Sequence, residues 1–144
     1  MIQVHSDYLG KVYDPVTLKV LAERTCNKVH EIMVSHPFEA IAFTGTSGAA
    51  LSYILSCQLG LPLICVRKTE DKGHHTTTFG GVRGLLEGHI SASVYLIVDD
   101  FVSFGTTARR IIDTIKAYND SARCVGILSY LSGTEGDDQV MISP

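Results

Sequence analysis

Asp99 and Asp100 are adjacent carboxylates, and Ser103, Phe104, Gly105, Thr106 and Thr107 follow them within one short stretch. The acids are hard oxygen acceptors, suited to sugar hydroxyls or to the hydration shell of Mg²⁺, which usually keeps several of its waters. A Gly/Ser/Thr loop that opens a helix offers the complementary chemistry. Its hydroxyls and backbone N–H groups, aided by the helix dipole, can hold a phosphate dianion, and Gly105 permits close approach. Each feature also has an ordinary reading: a solvated acid pair ending a strand, and an N-cap by Thr106 or Thr107. Val94, Leu96, Ile97 and Val98 form the apolar run of a strand buried on both faces, while Ala108, Ile111, Ile112 and Ile115 recur at helical spacing. The unit reads strand, loop, helix. In an open parallel sheet ligands sit beyond the carboxyl ends of strands, where both acids would project.

With its preceding apolar strand, the run Asp99-Asp100-Phe101-Val102-Ser103-Phe104-Gly105-Thr106-Thr107 resembles the phosphoribosyl pyrophosphate signature of type I phosphoribosyltransferases. The resemblance implies that Asp99 and Asp100 hold the ribose hydroxyls and help place Mg²⁺. It also implies that Ser103 to Thr107 bind the ribose 5-phosphate. Phe104 departs from the usual Thr or Ala, so its side chain must point away or narrow the site.

A second strand, loop and helix unit lies upstream. Ala40-Ile41-Ala42-Phe43 reads as a buried strand, followed by Thr44-Gly45-Thr46-Ser47-Gly48 and an apolar helix through about Leu59. The loop lacks the Gly-Lys-Ser/Thr of a Walker A motif. In the family its position is that of the pyrophosphate loop, which assigns Thr46, Ser47 and Gly48 to substrate binding. The family often carries Lys or Arg before the loop's glycine, whereas Ser47 precedes Gly48 here, and a ligand-free tight turn is the other reading.

Gly60-Leu61-Pro62 breaks the helix, and Leu63-Ile64-Cys65-Val66 is the next strand, ending at Arg67-Lys68. From Thr69 to Gly81 the chain is polar without an apolar period, as in a long exposed loop, and such loops are commonly functional. Arg67, Lys68, Lys72 and His74 resemble the cations and His of the mobile catalytic loop of orotate phosphoribosyltransferases. Gly80-Gly81 and Leu85-Leu86-Glu87-Gly88 continue the likeness, although Lys72 is one residue late and Thr76-Thr77-Thr78 is extra. By this resemblance Lys72 and His74 stabilise the departing pyrophosphate, with Arg67 and Lys68 assisting, and the loop commonly reaches a neighbouring subunit.

Asp14-Pro15 starts a helix, with Asp14 as N-cap, an apolar face of Val16, Val20, Val29, Ile32 and Met33, and an end before Pro37. Leu85 to Gly88 is expected in a hairpin before the signature strand. Cys124 to Leu131 forms a further strand, and Gly133 to Asp138 an acidic turn before a short tail. Alternating strands and helices give an α/β domain with a mainly parallel sheet flanked by helices. The family resemblance makes it a type I phosphoribosyltransferase core. About 14 residues before the first helix and about 13 after the last strand leave only a reduced base-recognition hood.

At 144 residues, 45% hydrophobic and 19% charged, residues 1–144 fit one domain with a sizeable core. A net charge of −3 gives no basic footprint for nucleic acid. Ser52, Ser56, Gln58, Gly60 and Pro62 interrupt the apolar stretch from Gly48 to Val66, so no membrane span is expected, and the N-terminal residues lack a signal-peptide pattern. Cys26, Cys57, Cys65 and Cys124 read as reduced core cysteines of a cytoplasmic protein. The resemblance carried by Asp99 to Thr107 and Arg67 to His74 implies a Mg²⁺-dependent transferase that joins phosphoribose to a nucleobase, orotate or another. The alternative is a non-catalytic regulator binding phosphoribosyl pyrophosphate or a nucleotide. A homodimer is expected, because the first helix carries more apolar surface than a small sheet covers.

Overall fold

The computed structural model describes residues 10–68, 85–100, 105–130 and 139–142. A short helix α1 (Gly10–Tyr13) leads into α2 (Pro15–Ser35), followed by β1 (Ala40–Phe43), α3 (Gly45–Leu59) and β2 (Leu63–Val66). Then come β3 (Leu86–Gly88), β4 (Val94–Asp99), α4 (Thr106–Tyr118), β5 (Arg123–Ser129) and β6 (Gln139–Ile142). These strands form one sheet in the order β3-β2-β1-β4-β5-β6. The inner four are parallel, and β3 and β6 run antiparallel at the edges.

Local chemistry explains most of the boundaries. Asp14 caps α2 by accepting from the Thr17 N–H at 2.8 Å, Pro15 supplies a preset φ at the first helical position, and the helix ends before Pro37 as expected. Every residue of β1 is buried, as a strand covered on both faces requires. One core packs α2 and α3 on one side of the sheet through Leu21, Val29, Leu51, Leu55, Leu96 and Leu128. The other packs α4 on the opposite side through Ala42, Ile64, Ile97, Ala108, Ile111 and Ile115. Burying apolar surface on both faces is the main stabilising term.

Several expectations are corrected. The buried face of α2 is Leu21, Ala22, Thr25, Val29 and Ile32, whereas Val16 and Val20 are 73% and 61% exposed. At 3.6 residues per turn Val16 lies on the side of the helix opposite Thr25. The residues of the 44–48 loop fall mostly within α3, which begins at Gly45. The expected hairpin ahead of the signature strand is present, with β3 antiparallel to β2, and β4 pairs with β1 and β5. The tail contributes strand β6, paired with β5. Cys57 is exposed, Cys26 and Cys65 are half-buried and only Cys124 is buried, although all four are free thiols. Among the described residues no helix is long and apolar enough to cross a membrane.

Candidate active site

Asp99 ends β4 and Asp100 follows it, both buried, at 6% and 4% exposure. Their backbone is fixed from β5: the Tyr130 N–H donates to the Asp99 carbonyl at 3.1 Å, and the Ser129 hydroxyl donates to the Asp100 carbonyl at 3.0 Å. Asp99 Oδ1 accepts from the Asp100 N–H at 3.0 Å and lies 3.5 Å from the Ser47 hydroxyl. Asp100 Oδ2 is buried without a hydrogen-bond partner among the described residues. Burial first, and then the neighbouring Asp100 side chain, pushes the Asp99 carboxyl up from its ordinary 3.8 to about 7. A buried carboxylate oxygen without a donor costs free energy that a hydroxyl or a cation would offset, so this donor set fits ribose hydroxyls and a hydrated Mg²⁺.

Two helix starts face the same end of the sheet. Gly105, at φ +71°, is the N-cap of α4, in place of the Thr106 or Thr107 considered from the sequence, and it has no side chain with which to cap the turn. Thr106 is exposed and Thr107 half-buried. On α3 the N-cap is Thr44, but its hydroxyl donates to the Val66 carbonyl at 2.5 Å, so that turn is uncapped as well. Helix starts leave their first N–H groups without intrahelical acceptors, and a helix N-terminus favours anions. Thr46 is exposed, Ser47 half-buried and Gly48 buried. A methyl group on Gly48 would meet Phe43 Cβ at 3.0 Å and the Val98 carbonyl at 3.4 Å. Glycine is what lets the first turn of α3 lie against β1 and β4.

At the end of β2, Arg67 pairs with Glu87 of β3 at 2.8 Å, while the exposed Lys68 places its Cε 3.8 Å from where a Gly45 side chain would begin. A cleft of about 340 Å³ lies there, lined by Gly45, Thr46, Tyr53, Arg67 and Glu87 among others. Of the residues selected from the sequence, Asp99, Asp100, Ser47 and the two helix starts converge at the carboxyl ends of the parallel strands, with Lys68 beside the start of α3. Lys72, His74, Ser103 and Phe104 lie outside the described residues.

No family model matches the sequence. Over 115 residues the chain is 27% identical to orotate phosphoribosyltransferase of Sulfurisphaera tokodaii, covering 80% of this chain and 54% of that protein. It is 33% identical over 81 residues to the orotate phosphoribosyltransferase of Rhizobium leguminosarum bv. trifolii, covering 56% of this chain and 33% of that one. The chain thus spans about half the length of the first relative and a third of the second. The solved orotate phosphoribosyltransferase of Aeropyrum pernix superposes with a TM-score of 0.58 at 20% identity, over 88% of this chain and 63% of that one. Adenine phosphoribosyltransferase of Leishmania tarentolae superposes with a TM-score of 0.61 at 16% identity, over 85% and 61%. The chain has the type I phosphoribosyltransferase fold.

In this phosphoribosyltransferase fold three supporting residues escape a reading of the sequence. Tyr130 is wholly buried, and its phenol donates to the Ser47 carbonyl. Arg24 of α2 donates to the Tyr130 carbonyl at 3.1 Å. Arg110 of α4 reaches Thr44, its Nη2 donating to Oγ1 at 3.1 Å. Only its position beside Ile111, on the flank of the buried stripe, hints at this in the sequence, because a long side chain can fold back from a flank.

Proposed function

We propose that this chain is a Mg²⁺-dependent phosphoribosyltransferase that moves phosphoribose from phosphoribosyl pyrophosphate to a nucleobase and releases pyrophosphate. The observation that carries the reading is the buried Asp99-Asp100 pair, with a carboxylate oxygen unpartnered among the described residues, beside the starts of α3 and α4. The relatives named as orotate phosphoribosyltransferases support it and make orotate the first acceptor to test.

Asp99 and Asp100 hold the ribose hydroxyls, and Ser103 to Thr107 bind the 5-phosphate. Thr46, Ser47 and Gly48 bind the pyrophosphate. Asp99 and Asp100 would hold a hydrated Mg²⁺, which would supply charge neutralisation on the diphosphate. A ring nitrogen of the base forms the new bond to the anomeric carbon and gives up its proton to solvent as the bond to pyrophosphate breaks, with the electron pair leaving on the diphosphate oxygen. Lys72 and His74, with Lys68 and Arg67 at the strand end, stabilise that departing charge. The chain's work is thus positioning and electrostatics. We place the reaction in the cytoplasm and in a homodimer, for which the exposed Tyr13, Val16 and Val20 along the outside of α1 and α2 provide apolar surface.

Pyrophosphate release from phosphoribosyl pyrophosphate and Mg²⁺ with orotate, uracil, adenine, guanine, hypoxanthine or xanthine tests the reading. The Asp99→Asn/Asp100→Asn double variant serves as control. Release with one base, lost in the control, is the expected result. Binding of phosphoribosyl pyrophosphate without release with any base would replace it by the non-catalytic regulator.

A further inference from the structure

Arg110 lies in the second turn of α4, yet its guanidinium is anchored away from that helix. Its Nη2 donates to Thr44 Oγ1, and the Thr44 hydroxyl donates in turn to the Val66 carbonyl, so the cation stands at the carboxyl ends of β1 and β2 beside the N-cap of α3. Among the described residues it forms no ion pair with a carboxylate. The Nε of Arg110 is buried and has no acceptor among the described residues. A guanidinium partly withdrawn from water without a counter-ion is held at a cost that an anion would remove.

The surroundings point to which anion. Because the Thr44 hydroxyl is turned to Val66, the first N–H groups of α3 have no side-chain cap and favour negative charge. The turn itself, Thr44-Gly45-Thr46-Ser47-Gly48, contains no cation. Two arrive from other elements: Arg110 at Thr44 and Lys68 over Gly45. The geometry points to Arg110 as a binding residue for a diphosphate seated on the first turn of α3, supplying from α4 the charge that this turn lacks. The inference rests on the transferase reading for the identity of that diphosphate as the leaving group, while the anion site stands on the cations and the uncapped turn.

Calorimetric titration of the full chain with inorganic pyrophosphate and Mg²⁺, and separately with ribose 5-phosphate, tests it in wild type, Arg110→Gln and Arg110→Lys. Loss of a charge-assisted contact is expected to weaken pyrophosphate binding by about tenfold or more in Arg110→Gln, with partial recovery in Arg110→Lys. Ribose 5-phosphate, assigned to α4, should stay within about twofold. Equal pyrophosphate affinity in wild type and Arg110→Gln overturns the inference. A parallel loss of both ligands also overturns it, since that marks a structural role. Arg110-dependent pyrophosphate binding without transfer to any base would sink the transferase reading alone, and transfer unaffected by Arg110→Gln would sink this inference alone.

Discussion

Tyr130, the residue after β5, donates its phenolic hydroxyl to the backbone carbonyl of Ser47 in the first turn of α3. Its own N–H donates to the Asp99 carbonyl, so one buried residue ties the acid pair to the turn assigned to pyrophosphate. Tyr130→Phe keeps the ring and removes only the hydroxyl. It is expected to cost about 1–2 kcal/mol by urea denaturation, because the Ser47 carbonyl loses its donor. Affinity for phosphoribosyl pyrophosphate should fall by about threefold to tenfold as the turn loosens. Wild-type values of both would show that the hydroxyl does not position the turn.

Asp99 makes stability depend on pH. Its folded pKa is raised from 3.8 to about 7 by burial and by Asp100, so between those values the folded state keeps a proton that the unfolded state has released. That contribution is fully present below the unfolded value and is lost as pH rises through about 7. Asp99→Asn, which cannot ionise, should therefore gain stability relative to wild type as pH rises and hold a constant advantage above that window. Denaturation midpoints across the range check this, and a wild-type curve parallel to the variant's would contradict the burial argument. Mg²⁺-dependent ligand binding should strengthen over the same rise, as the carboxylate forms.

Gly48→Ala probes the close approach of α3 to the sheet. Its methyl group would stand 3.0 Å from Phe43 Cβ and 3.4 Å from the Val98 carbonyl, so Phe43 or the turn must give by a few tenths of an ångström. Overpacking of this kind should cost about 1–3 kcal/mol in chemical denaturation and weaken pyrophosphate binding. A stable variant with normal affinity would show that the turn has room to adjust.

Lys72→Ala tests the leaving-group assignment. Removing a cation that acts on developing charge is expected to lower kcat by about a hundredfold or more while leaving the dissociation constant for phosphoribosyl pyrophosphate within about threefold. A rise in KM with kcat unchanged would instead make Lys72 an ordinary binding residue.

Elements were legible where their cause is local. The β1 and β2 boundaries follow from apolar runs bounded by polar or breaking residues, and the Asp14-Pro15 start of α2 from capping chemistry. Reading failed where the outcome depends on phase or on distant partners. Val16 and Val20 are apolar but lie off the buried stripe of α2, which runs through Leu21, Thr25, Val29 and Ile32. The four-residue β6 is defined by the edge that β5 offers.

The sequence by itself determined the alternation of strands and helices, the mainly parallel sheet and the positions of the acid pair and the glycine turns. Apolar periodicity, caps and breakers act over a few residues, so their message survives without the fold. Only the tertiary structure decided that Asp100 Oδ2 is buried without a donor among the described residues, that Tyr130 holds Ser47, and that Arg110 leaves the flank of α4 to stand at Thr44. Arg110 and Thr44 are 66 residues apart. Their meeting depends on α4 crossing the face of the sheet on which the ends of β1 and β2 lie, a consequence of strand order and helix packing that no short stretch of residues encodes.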